Sequence, residues 1–94
     1  MISATDIKYF VEIADTGNIS RAAERLGVSQ PSLSLAMQRM EEKVGTQLIQ
    51  RSRKGVRLTQ AGLKLRSHSH KMIELWDDIK SEALASVNEA RGVF

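Results

Sequence analysis

The stretch Ala22-Ala23-Glu24-Arg25-Leu26-Gly27-Val28-Ser29-Gln30-Pro31-Ser32-Leu33-Ser34 decides the fold. Its alanine-rich first half favours helix and ends on Gly27, the residue type that stops helices by turning left-handed. Two residues later Ser29 offers an N-cap hydroxyl, and Pro31 stands in a first helical turn, where its missing N–H costs nothing. A short helix, a tight turn and a freshly capped second helix make a helix-turn-helix.

Upstream, Ser20 is expected to cap the short helix that begins at Arg21. From Thr5 to Asp15, Ile7, Phe10, Val11, Ile13 and Ala14 recur at helical spacing, with Gly17 as the stop. Downstream, the helix opened by Ser29 is expected to run to about Val44 before Gly45, burying Leu33, Met37, Met40 and Val44 as one stripe. Leu48-Ile49 and Val56-Arg57-Leu58 then bracket Arg51-Ser52-Arg53-Lys54-Gly55, which reads as a β-hairpin around a basic turn. Thr59 should cap a long helix reaching about Arg91, roughly 45 Å at 1.5 Å per residue.

The expected fold class is therefore mainly α: a winged helix-turn-helix of three helices and a β-hairpin wing, followed by a long linker helix. Residues 1–58 form the domain, with the helix-turn-helix at about 19–38 and the wing at about 47–58, and residues 59–91 form a linker or dimerisation helix. A chain of 94 residues, 41% hydrophobic and 27% charged, holds one such core plus an extension. With no cysteine, disulfides, thiolate metal sites and cysteine nucleophiles are excluded, and the expected location is the cytoplasm.

The net charge of +3 is unevenly spread. Residues 18–59 hold eight bases and three acids, while residues 1–17 hold one base and three acids and residues 60–94 hold five of each. A basic middle third carrying a helix-turn-helix points to a polyanion, and double-stranded DNA is the expected partner. On a helical wheel the buried stripe leaves Pro31, Leu35, Gln38, Arg39 and Glu42 outward, with Ser34 beside them. The first half of that face carries the positive end of the helix dipole, whereas Glu41 and Glu42 repel a polyanion at the far end.

Gln30 and Gln38 each offer a donor and an acceptor, the pattern of adenine's major-groove edge, and Gln30 is favoured because it sits at the helix tip. Leu35 is either an incidental exposed leucine or a partner for a thymine methyl. Ser20, Arg21, Ser29, Ser32, Ser34 and Arg39 complete the candidate face, with capping the main role for Ser20 and Ser29. Arg51, Arg53 and Lys54 of the wing are expected on phosphates or in the minor groove.

The run Tyr9-Phe10, Ala22-Ala23-Glu24-Arg25-Leu26, Val28-Ser29-Gln30-Pro31-Ser32-Leu33-Ser34, Glu41, Gly45, Leu48, Arg51 and Leu58-Thr59-Gln60-Ala61-Gly62 closely resembles the LysR-type transcriptional regulators over about residues 3–65. Leu35, where many members carry a polar or basic residue, and Ile49, often phenylalanine, depart from the pattern. The resemblance implies transcription control as a homodimer through the linker helix, with tetramers in the whole protein and RNA polymerase as a further candidate partner. It also implies a small-molecule effector, bound by a domain expected to lie outside this chain, and no cofactor within it.

In the long helix Leu65, Met72, Trp76, Ile79, Ala83 and Ala90 follow a heptad-like spacing and are the expected dimer seam, anchored by Trp76. His68 and His70 point about 200° apart on a helix and cannot share a metal ion. Glu74, Asp77 and Asp78 sit at ion-pairing distance from Lys71 and Lys80. No nucleophile, base and orienting group are assembled, so catalytic and metal sites are not expected. An interaction module without nucleic acid is the main competing class, and an enzyme fragment has no constellation behind it.

Overall fold

The computed structural model describes residues 1–90, with side chains described through residue 87. Four helices and a hairpin follow in order: α1 (Ala4–Thr16), α2 (Ile19–Leu26), α3 (Gln30–Val44), β1 (Ile49–Ser52), β2 (Gly55–Leu58) and α4 (Gln60–Ala90). This is the expected winged helix-turn-helix with its linker helix. The expected helix end at Arg91 lies outside the described residues.

Each helix starts where a side chain can satisfy its free amides. Ser3 and Asp6 form a reciprocal capping box at α1, Ser29 caps α3 by accepting from the Ser32 amide, and the Thr59 hydroxyl accepts from the Gly62 amide at α4. The cap of α2 is Asn18, whose Oδ1 accepts from the Arg21 amide at 3.0 Å. Ser20, expected in that role, lies one residue inside the helix. Asn is at least as good a cap as Ser, and Asn18 directly precedes the buried Ile19.

The core is formed by Ile7, Phe10, Val11 and Ile13 of α1, Ile19, Ala22 and Ala23 of α2, Leu33, Met37 and Met40 of α3, and Leu48 and Ile49 at the root of the wing. The stripe on α3 is one residue shorter than expected, because Val44 is 42% exposed at a helix end that no other element covers. α4 crosses α1 with Leu65 and Ile73 packed on the core and the fully buried Ser69 at the crossing, its hydroxyl returned to the Leu65 carbonyl at 2.8 Å. Beyond Ile79, which still lines a groove with the start of α1, the helix continues and draws the molecule out to 57 × 25 × 19 Å.

The antiparallel hairpin pairs Ile49 with Leu58 and Arg51 with Val56. Two contacts fix it to the body. The Val56 amide donates to the Gly17 carbonyl at 2.9 Å, and Glu41 Oε2 accepts from the Leu48 amide at 2.6 Å and the Ile49 amide at 3.3 Å. Gly55 makes the first possible: its φ of +119° disfavours a side chain, and a Cβ there would stand 2.5 Å from the Gly17 carbonyl oxygen.

Candidate nucleic-acid interface

The start of α3 and the wing border one open groove. Asn18, Ile19 and Ser20 form one wall, Gln30 the floor, and the turn from Arg51 to Val56 the other wall. A second shallow surface continues along α3 through Pro31, Ser34, Leu35 and Gln38 to Glu41, with Arg51 leaning over it. Sequence-based candidates from two distant parts of the chain thus meet on one face. Arg21, Ser29, Ser32 and Arg39 are exposed but line neither groove, and Leu35 is 45% exposed with no core to join.

Hydrogen bonds within this face decide what it can offer. The Ser20 hydroxyl donates to Gln30 Oε1 at 3.1 Å, the Ser29 hydroxyl donates to the Ser32 hydroxyl at 2.8 Å, and Arg51 Nη1 donates to the Ser34 hydroxyl at 3.2 Å. A hydroxyl has one proton to give. Ser20 and Ser29 have therefore spent theirs inside the face and are not phosphate donors in this arrangement. Ser32 and Ser34 have accepted bonds and keep a proton to donate outward. The face thus offers donors at the Gln30 amide nitrogen, two hydroxyls, the rest of the Arg51 guanidinium, Arg53 and Lys54, beside hydroxyl lone pairs and the Gln38 amide, which can also accept.

Charge follows the same division. Among the described residues, Arg25 pairs with Glu12 at 3.2 Å and Lys43 with Asp6 at 3.3 Å, which ties both bases to α1. Arg21, Arg39, Arg51, Arg53, Lys54 and Arg57 have no carboxylate partner among the described residues, so six uncompensated bases lie on α2, α3 and the wing, against Lys8 on α1 and Lys64, Lys71 and Lys80 on α4. Glu41, expected to act as a repelling charge, is instead half-buried and bound to the wing's backbone. Glu42 stays exposed and keeps the repelling role alone.

Three residues of the face escape a reading of the sequence. Asn18 lines the groove beside Ser20, and its position directly before an apolar helix start was the available signal. Arg57 pairs with Gln50 across the hairpin and opens, with Lys54 and Gly17, a third surface on the other side of the wing; strand alternation from Arg51 places it there. Glu41 could not have been found, because its partners are backbone amides seven and eight residues away.

The expected dimer seam divides. Leu65 packs on its own subunit's core, because the α1 crossing reaches that far along α4. Met72, Trp76 and Ile79 are about half exposed and line an apolar groove with Met1, Ile2 and Ile7 at the start of α1. Ala83 is exposed, and the side chain of Ala90 lies outside the described residues. Leu75, Leu84 and Val87, absent from the expected seam, extend the exposed apolar surface. Among the described residues, no group of three His, Cys, Asp or Glu side chains is placed to hold a metal ion, and no helix is long and apolar enough to cross a membrane.

Residues 4–63, the three helices, the wing and the start of α4, match the family model described as bacterial regulatory helix-turn-helix protein, lysR family. The chain belongs to the lysR family. It is 40% identical over 87 residues to the HTH-type transcriptional regulator BudR of Klebsiella aerogenes, covering 93% of this chain and 56% of BudR. It is 41% identical over 69 residues to TcbR of Pseudomonas sp. (strain P51), covering 73% of this chain and 24% of TcbR. This lysR-family chain thus spans from about a quarter to just over half the length of these regulators.

Among solved structures, the crystal structure of a CbnR_DBD–DNA complex superposes with a TM-score of 0.86 at 34% identity, covering 92% of this chain and 99% of that one. Full-length CbnR complexed with its target DNA superposes at 0.84, where the match takes 29% of that chain. The relatives are transcriptional regulators and not enzymes.

Proposed function

We propose that this lysR-family module binds double-stranded DNA sequence-specifically, with the N-terminal half of α3 in the major groove and the wing on the backbone or minor groove. The observation that carries the reading is the convergence of Gln30, Pro31, Ser34, Leu35 and Gln38 with Arg51, Arg53 and Lys54 on one open, donor-bearing face. An α-helix fits the major groove by width, and its positive N-terminal end favours phosphate and base acceptors. The DNA complex of the structurally similar CbnR domain supports the same reading.

Two copies paired through the exposed apolar stripe of α4 would place two helix tips in major grooves about one helical turn, ~34 Å, apart on an interrupted inverted repeat. Met72, Trp76 and Ile79 support this, since they are apolar and their own subunit leaves them half uncovered. In the whole regulator, a small-molecule effector would bind outside these residues. The site of action would be the bacterial cytoplasm, where the DNA is.

Fluorescence anisotropy with a labelled duplex at rising salt tests the reading. Each phosphate neutralised contributes about −0.9 to the slope of log affinity against log salt. A steep fall fits a basic face on DNA; a flat response would favour a protein-interaction module.

A further inference from the structure

Gln30 stands at the helix tip with an amide that can be read two ways. With both ends open it would present a donor and an acceptor, matching adenine, whose N6 donates and N7 accepts. In the fold it is not open at both ends. The Ser20 hydroxyl, carried on α2, donates to Gln30 Oε1 at 3.1 Å and holds that oxygen toward the α2 wall of the groove. The nitrogen, with two protons, has no hydrogen-bond partner among the described residues.

We infer that Ser20 is a positioning residue that locks the Gln30 amide donor-outward, so that Gln30 selects a keto base, guanine or thymine, at its position in the site. This inference rests on the DNA-binding reading above. Guanine shows N7 and O6 and thymine shows O4 in the major groove, all acceptors for an outward N–H. Adenine and cytosine place an amino group where the keto bases place an oxygen, so an outward N–H meets a second donor there; adenine keeps N7, one acceptor where guanine offers two. The neighbouring Ser32 and Ser34 hydroxyls, which accept from Ser29 and Arg51, also keep a proton to donate.

Two features make the lock effective. Gln30 is the first residue of α3 and Ser20 the second of α2, so both backbones are held by capped helices rather than by a loop. The contact also spans the two helices of the motif, so the Gln30 side chain is held against α2 rather than left to water.

The test is selection of bound sites from random duplexes by the unaltered chain and by Ser20→Ala, Ser20→Thr and Gln30→Ala. Gln30→Ala first identifies the base position that Gln30 reads, as the one whose preference it abolishes. At that position the unaltered chain is expected to prefer keto over amino bases by about fivefold or more, the low end for a good base contact. Ser20→Ala should bring that ratio close to one while preferences at the other positions persist. Ser20→Thr, which keeps the hydroxyl, should restore the ratio. A keto preference that survives Ser20→Ala, or an adenine preference in the unaltered chain, overturns the inference while leaving DNA binding intact. If Gln30→Ala changes no position and no chain enriches a sequence, it is the DNA-reading assignment that fails.

Discussion

Glu41 on α3 accepts a 2.6 Å hydrogen bond from the backbone N–H of Leu48, the last residue before the wing. A helix side chain thereby fixes the start of the strand that follows it, and with the Arg51–Ser34 bond it ties α3 to the wing. A hydrogen bond to a charged group contributes about 1.5–3 kcal/mol, and removing the carboxylate leaves the Leu48 and Ile49 amides without it. Glu41→Ala should lower unfolding stability by about that amount, whereas Glu42→Ala on the exposed side should be nearly silent. Urea denaturation of the two variants checks the difference, and hydrogen exchange at Leu48 and Ile49 should rise in the first only.

Gly62 is a second fixed point of the same joint. A Cβ built there would run into the carbonyl oxygen of Leu48 and crowd Leu58. Helix propensity favours alanine over glycine by about 1 kcal/mol, so an isolated helix would gain from the change. Overpacking against backbone costs about 1–3 kcal/mol and should win. Gly62→Ala is therefore expected to lower the melting temperature, and a rise would show that the α4 start can shift away from the wing.

Asp6 couples α1 to α3 and responds to pH. Burial pushes its carboxyl up, but the Ser3 backbone N–H, the Lys43 ammonium and the Ser3 hydroxyl together outweigh that and hold it below the ordinary 3.8. A carboxyl depressed in the folded state contributes stability that is fully present above its unfolded value and is lost as pH falls through the folded one. Stability should hold constant near neutrality and decline below about pH 4, and Asp6→Asn should remove that part of the acid slope. Denaturant midpoints from pH 6 down to pH 2.5 provide the comparison. Equal acid slopes in both chains would contradict the assignment.

Lys54 and Gln30 separate backbone grip from base reading. Lys54→Ala should weaken all duplexes alike and make the salt slope shallower by about one phosphate, near 0.9. Gln30→Ala should leave the slope and lower discrimination among sequences. Parallel salt titrations on a selected and a random duplex distinguish them; identical effects would mean that both residues act on phosphate.

Much of this architecture is legible in the sequence because its signals are local. Gly27, Ser29 and Pro31 lie within one turn of the junction they define, and the heptad-like apolar residues of α4 need no partner to be seen. What was not legible depends on contacts between distant residues. Val44 has the right phase for burial, but nothing packs over the end of α3. Leu65 has the right phase for a seam, yet α1 reaches it first. Ser20 has the composition of a cap, but Asn18 directly precedes the buried Ile19 that opens the helix, and that leaves the Ser20 hydroxyl for Gln30. The donor-outward set of the face could not be read from residue types, since Ser and Gln both give and accept.

The most direct test of the central claim, that the first half of α3 and the wing together meet the double helix, is a map of backbone amide chemical shifts as duplex is added to the isotope-labelled chain. Perturbations are expected to gather at residues 29–38 and 51–54, with the exposed face of α1 around Lys8 and Glu12 unmoved. Shifts gathered on α1 while residues 29–38 stay still would contradict it.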